Sequence, residues 1–170
     1  MMAVSRRQLL RGDFGGRGRA LRPPGALSEA AFVEVCSPCR ECIAACPEAI
    51  IIRGAGRYPE LDFSRGECSL CGACVEHCPT GALQAAAGWR QWVEIKESCL
   101  ERQGVACGSC VDPCPVLAIS WRRHGRLAID TDLCTGCGAC YRACPAGAIA
   151  IHQERQGGVP NGIFVGAEKP

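Results

Sequence analysis

Sixteen cysteines carry the chemistry open to this chain, and their spacing says what kind it is. The plainest run is Cys134-Thr-Gly-Cys137-Gly-Ala-Cys140-Tyr-Arg-Ala-Cys144-Pro145. Two residues separate the first three cysteines from one another, and three separate the third from the fourth. A loop curled that tightly can offer three thiolates to three corners of one cubane and no more. The fourth thiolate lies beyond the loop and points elsewhere. This is the bacterial spacing for [4Fe–4S] ligation, in which the fourth cysteine serves the neighbouring cluster of a two-cluster ferredoxin. Pro145 ends the run because a residue with fixed φ and no N–H stops the turn there.

The unit recurs. Module one is Cys36, Cys39, Cys42 and Cys46 with Pro47; module two is Cys68, Cys71, Cys74 and Cys78 with Pro79. Module three is Cys99, Cys107, Cys110 and Cys114 with Pro115, and module four is the run above. The first cysteines stand 32, 31 and 35 residues apart, a period that signals repeated architecture. Similar segments also follow each fourth cysteine: Pro-Glu-Ala-Ile, Pro-Thr-Gly-Ala-Leu, Pro-Val-Leu-Ala-Ile and Pro-Ala-Gly-Ala-Ile. Four [4Fe–4S] clusters would use all sixteen cysteines with none left over.

Other uses of cysteine fit less well. Disulfides suit small secreted scaffolds, but no secretory signal precedes the repeats, and cysteines three apart do not easily pair within one loop. Structural zinc takes two pairs across a longer spacer, which a close third cysteine with a trailing proline does not provide. Composition also points to metal. Aromatics are 5% of the 170 residues, too few to build an apolar core for a domain of this size, so something else must hold it. The formal charge of +2 is too near neutral to argue for nucleic acid. With four clusters at roughly −2 each, thiolates included, the loaded protein would stand near −6. The best apolar run, Ile43 to Ile52, is broken by Pro47 and Glu48 and cannot span a membrane. There is no phosphate-binding glycine loop and no dinucleotide fingerprint. Nothing resembles a substrate site, so the chain is not read as an enzyme.

The elements that must position these loops are short. Residues 1–30 form an arginine-rich arm, with Arg6, Arg7, Arg11, Arg17, Arg19 and Arg22 against a single Asp13 before Glu29. Its Ser5-Arg6-Arg7 start is like a twin-arginine signal. The apolar stretch of about 7–15 residues that export requires does not follow. The arm is therefore read either as a solvated segment or as a docking segment for an acidic partner, with Arg6, Arg7 and Arg11 as the contact residues. Ser28 is placed to cap a helix reaching Val35. Ile50–Ile52 should turn at Gly54-Ala55-Gly56 and return through Leu61–Phe63; Ala118–Trp121 should turn at His124-Gly125 and return through Leu127–Ile129. Trp92–Ile95 is read as the return strand between modules two and three. The expectation is an α+β, ferredoxin-like fold of short β-hairpins and short helices. Modules one and two occupy residues 31–96 and modules three and four residues 97–151. Residues 152–170 are read as a mobile tail, with Gly162–Val165 as a last strand.

Details differ between modules. Gly72 and Gly138, each just after a second cysteine, let the backbone curl and aim N–H groups at sulfide. Arg40 takes that place in module one, and Pro38 removes a donor. The gap of seven residues between Cys99 and Cys107 should leave the third cluster more exposed or differently tuned. His77 is read as structural or exposed, since its module already has four thiolates. His124 and His152 have no carboxylate near them in sequence. Trp89 and Trp92 are expected to pack over a cluster.

Taken together, Ser5-Arg-Arg-x-Leu-Leu-Arg-Gly12, then Arg22-Pro23-Pro24, then four cysteine motifs with the third one widened resemble the NapF family, over residues 5 to about 151. These are ferredoxin-type accessory proteins of periplasmic nitrate reductase systems. The resemblance implies a cytoplasmic iron–sulfur protein acting on the catalytic subunit NapA before its export, by delivering or reductively assembling NapA's own [4Fe–4S] cluster. A plain electron carrier feeding a reductase is the alternative, although it would not need the arm. Cluster pairing stays open between modules one with two and three with four, and modules one with four and two with three. Near-even spacing favours the former.

Overall fold

The first helix forms where its cap stands. In the computed structural model, which describes residues 20–87, 91–122 and 126–153, Ser28 Oγ accepts the Ala31 N–H at 3.4 Å and helix α1 runs Glu29–Val35. Its capping hydroxyl satisfies one of the free N–H groups of the first turn, and Glu29 suits the positive end of the helix dipole. The inner face buries Phe32 and Val33.

Three single-turn helices follow the cysteine loops: α2 (Glu41–Ala44), α3 (Ala73–Glu76) and α4 (Ala139–Ala143). Each begins after a left-handed residue, Arg40, Gly72 or Gly138, and each carries its module's third cysteine on a buried face. Module three has no such helix; its residues 109–113 make only turns.

Among the described residues the strands form three two-stranded antiparallel sheets. β1 (Ile51–Arg53) pairs with β2 (Pro59–Leu61) in the register Ile51↔Leu61, so the return begins earlier than the sequence suggests. β4 (Ile119–Trp121) pairs with β5 (Leu127–Ile129) as expected, and the turn residues His124 and Gly125 lie outside the described residues. β3 (Gln91–Ile95) is different. It does not return upon module two but pairs with β6 (Ile149–Gln153), Val93 opposite Ile151 and Ile95 opposite Ile149. Alternation explains the strand itself: Gln91, Val93 and Ile95 are buried while Trp92 and Glu94 face out. Its partner is set by which buried face it can share, and sequence order says nothing about that. The first half holds a smaller version of the same closure. Ala26 bridges Leu83, with the Leu27 N–H on Ala82 O and the Gln84 N–H on Gly25 O. In each half, then, the entry segment lies beside the segment leaving the second of its two modules.

Two small cores result. One gathers Phe32, Tyr58, Phe63, Ile50, Ile51 and Leu83 around Cys36, Cys42 and Cys74. The other gathers Val93, Ile95, Ile119, Leu127 and Ile149 around Cys99, Cys110 and Cys140, with no aromatic residue. Ile151 on β6 touches both. Arg22, grouped with the arm in the sequence, is a core residue at 4% exposure. Its guanidinium lies 5.0 Å from the centre of the Phe32 ring and 5.5 Å from that of Tyr58. Among the described residues no helix is long and apolar enough to cross a membrane.

Candidate metal centres

All sixteen cysteines are described, and all are free thiols. Their grouping does not follow the modules. Cys46, the fourth cysteine of module one, lines a small cavity together with Cys68, Cys71 and Cys74 of module two. Ile50, Ile51 and Leu61 close its apolar side.

Charge interactions between the thiols extend this exchange of the fourth cysteine. Burial, and then the charges of Cys68, Cys42, Cys71 and Cys46, push the Cys74 thiol up to about 12. Cys42 is likewise pushed up to about 12 by burial, then by Cys36, Cys39 and Cys78. In the second half, burial and then Cys137, Cys134, Cys110 and Cys114 raise Cys140 to about 12. Burial, followed by Cys144, Cys99 and Cys107 among the thiols, raises Cys110 to about 11. With the bacterial spacing, in which a fourth cysteine serves the neighbouring loop, these neighbours are compatible with four sets: Cys36, Cys39, Cys42 with Cys78 (site one); Cys68, Cys71, Cys74 with Cys46 (site two); Cys99, Cys107, Cys110 with Cys144 (site three); Cys134, Cys137, Cys140 with Cys114 (site four). Cys42 also acts on Cys74, and Cys110 on Cys140, across the paired sets.

Among the described residues no three His, Cys, Asp or Glu side chains converge closely enough to hold a single metal ion, although four thiols share the site-two cavity. The two findings agree if the thiols bind separate atoms of one larger group. Four thiolates on one zinc at about 2.3 Å would stand under 4 Å apart, whereas a cubane spreads its ligands over four irons. The donor set fits an iron–sulfur group, because thiolate is the usual ligand of these clusters.

The backbone after each fourth cysteine makes one turn four times. Ala49, Gly81, Leu117 and Gly147 each donate N–H to the carbonyl of the cysteine three residues before and adopt positive φ, 52°, 70°, 52° and 57°. Glycine takes this region freely; alanine and leucine do so at a cost of about 1–2 kcal/mol. The turn brings the next N–H groups back onto sulfur: Ala118 onto Cys114 at 3.2 Å, Ala148 onto Cys144 at 3.2 Å and Leu83 onto Cys78 at 3.4 Å. Burial raises the Cys78 thiol, but the Leu83 N–H and the Thr80 hydroxyl outweigh it and leave the thiol below its ordinary value. The recurring Pro-x-Ala/Gly-x segments were the sequence trace of this turn, but they did not disclose its left-handed residue.

Other expectations changed. Module three's wide loop does not expose its thiols most; Cys39 and Cys71 are the exposed ones, Cys107 is half-buried and Cys137 is buried. The seven residues of this gap fold locally, with the Gln103 and Val105 N–H groups on Leu100 O. Trp92 stacks on the His152 ring at 4.3 Å rather than over a cysteine loop, and His152 Nε2 meets Glu94 Oε2 at 2.8 Å across the β3–β6 sheet. That carboxylate is distant in sequence and adjacent only through strand pairing. His77 is exposed and donates through Nδ1 to Ala73 O of its own helix at 2.9 Å. Arg6, Arg7, Arg11, Trp89, His124 and Gly162–Val165 lie outside the described residues.

Known families match the two ends of the cysteine region. A 4Fe-4S dicluster domain matches residues 35–83, and a 4Fe-4S binding domain matches residues 127–150. The chain is 37% identical over 121 residues to the ferredoxin-type protein NapF of Escherichia coli strain K12, spanning 70% of this chain and 74% of that one. It is 34% identical over 74 residues to the ferredoxin-type protein NapF of Haemophilus influenzae, spanning 38% and 42%.

Proposed function

Because the chain belongs to the family of ferredoxin-type NapF proteins, an iron–sulfur family, we propose that it is an accessory polyferredoxin with a ferredoxin-like fold in each half and four [4Fe–4S] clusters on its sixteen cysteines. Each cluster takes three cysteines of one module and the fourth of its neighbour, in the four sets given above. The observation that carries this reading is the cavity where Cys46 joins Cys68, Cys71 and Cys74. The dicluster match over residues 35–83 supports pairing module one with two. Modules one and two (31–96) and three and four (97–151) form the halves, with β3 completing the sheet of the second. Residues 1–30 act as the docking arm, held in the first core from Arg22 onward, and residues 152–170 form a tail whose first two residues, His152 and Gln153, end β6. The clusters, when bound, supply one-electron storage. The chain's own residues bury the thiols, donate N–H groups to sulfur and give up the thiol protons that binding displaces.

Anaerobic reconstitution should give about 16 iron atoms per chain. Cys137→Ser should remove or degrade one cluster. Cys46→Ser should do the same to the cluster on module two's loop, leaving module one's own loop loaded. A content of about four zinc ions with no iron, or loss of module one's cluster in Cys46→Ser, would overturn the assignment.

In this reading the protein works in the cytoplasm on immature NapA, the catalytic subunit of periplasmic nitrate reductase, assisting assembly or reduction of NapA's cluster before export, without being an enzyme itself. A plain electron carrier to a reductase is the second reading, favoured by the exposed thiols Cys39 and Cys71. The arm separates the two. Arginine forks bind carboxylates in pairs of hydrogen bonds that lysine cannot reproduce, and each exposed contact is worth about 1 kcal/mol at most. Changing Arg6, Arg7 and Arg11 together to Ala should therefore weaken NapA capture several-fold at unchanged iron content, and added salt should weaken wild-type capture and narrow that difference. Equal capture by wild type, the triple variant and a chain lacking residues 1–30 would favour the carrier. Twin-arginine-dependent delivery of a reporter by residues 1–30 would overturn the cytoplasmic placement.

A further inference from the structure

The two halves meet at their cysteine loops. The Cys68 N–H donates to the Cys137 carbonyl at 2.8 Å, so a cysteine of site two is hydrogen-bonded, main chain to main chain, to a cysteine of site four. The approach leaves no room for side chains. A Cβ on Gly138 would stand 2.1 Å from Cδ1 of Phe63, a core residue of the first half. Within the second half, a Cβ on Gly136 would stand 2.7 Å from the Gln91 carbonyl. Both glycines sit at positive φ, 84° and 68°. A strap from the N-terminal side holds the halves in this register. The Leu61 N–H donates to Leu21 O, the Arg22 N–H to Gln153 Oε1 at 2.8 Å, and Gln91 Nε2 to Arg22 O at 3.3 Å.

We propose that the Cys68–Cys137 contact is the electron bridge between the two halves, and that it fixes one linear order of sites: one, two, four, three. This inference rests on the four-cluster reading above. Within a half, the fourth cysteines exchanged between modules hold the paired sites side by side: Cys46 runs to site two and Cys78 to site one, Cys114 to site four and Cys144 to site three. Between halves, the path from Cys68 Sγ to Cys137 Sγ runs through two side chains, two stretches of backbone and one hydrogen bond. With groups bound, this path would carry one electron from site two, which would be oxidised, to site four, which would be reduced, with no proton moved and no bond made or broken. Buried Cys137 keeps water out of this contact. Sites one and three become the ends of the series, and the exposed Cys39 gives site one an open edge. The order differs from the numerical order of the modules, because module four, not module three, lies against module two.

The test is electron paramagnetic resonance of the intact, reconstituted protein, fully reduced with titanium(III) citrate. Wild type should show magnetic interaction within each half and a further interaction between halves. Gln153→Leu isolates the strap, since it removes the side-chain acceptor of the Arg22 N–H and touches no cysteine loop. Its iron content and visible absorption should match wild type, the within-half interactions should remain, and the between-half interaction should weaken. If Gln153→Leu loses iron, Phe63→Leu, which takes away the ring against which Gly138 packs, carries the same expectation. An unchanged between-half interaction in an iron-replete variant overturns the bridge. A wild-type iron content well below 16 per chain overturns the four-cluster reading instead, and the bridge with it.

Discussion

Anaerobic removal of iron should abolish the cooperative thermal transition of this protein. The reason lies in the composition of its two cores. Each is a thin layer of apolar side chains around cysteines, and in the second half no aromatic residue contributes. Each core strand is only three to five residues long, and an isolated two-stranded sheet is at best marginally stable. Structural metal in small domains contributes on the order of 10 kcal/mol, comparable with the whole stability of a typical domain. Without it, the chain's ordering entropy is not offset. Residual structure should survive mainly around Phe32, Tyr58 and Phe63, so hydrogen exchange after chelation should lose protection first and most completely over residues 91–153. Calorimetry and far-UV circular dichroism of the chelated protein are the measurements. An apoprotein with native-like dichroism and a cooperative transition would show that apolar packing suffices after all.

Arg22→Ala should destabilise the loaded protein by about 2–3 kcal/mol, a large effect for one substitution outside the cysteines. Arg22 Nε and Nη2 grip both oxygens of Glu29, at 2.9 and 2.6 Å, in a two-pronged pair. Nη1 donates to Pro59 O at 3.0 Å and stands 3.6 Å from Glu60. The guanidinium plane covers two aromatic rings. Glu29 is itself partly exposed at 38%, so screening by water keeps the effect below that of a fully buried pair. Truncation would also open a void over Phe32 and Tyr58, because the arginine stem packs there as well as pairing. Arg22→Lys should recover only a minor part, since an ammonium cannot span both carboxylate oxygens. Urea titration at matched iron content decides it, and a shift under about 0.5 kcal/mol would place Arg22 among ordinary surface residues.

Arg22 has a second role, in the strap between the halves. Its backbone takes one hydrogen bond from the β3 residue Gln91 and gives one to the β6 residue Gln153, while its side chain is fixed in the first core. An N-terminal arm that docks a partner would thus be anchored at the joint between the halves. In the proposed function this places partner binding and electron passage on one connected piece of structure.

What the sequence determined by itself is what depends on near neighbours along the chain. Three cysteines two residues apart dictate a curled loop, Ser28 dictates a helix start, and alternating β-branched residues dictate short strands; each appears where those patterns stand. The four thiol loops were legible for the same reason, since ligand spacing is a local constraint. Tertiary structure decided the rest, because it turns on contacts between residues far apart in sequence. Trp92–Ile95 was recognisable as a strand, but its partner 149–153 was chosen by a shared buried face. The left-handed turn at Leu117, which aims the Ala118 N–H at Cys114 sulfur, and its counterpart at Ala49 run against the preference of those residues. Arg22 was drawn from a charged arm into the core by one carboxylate fork and two aromatic rings. The position of Cys68 against Cys137 followed from the docking of two folded halves, and no spacing within either half encodes it.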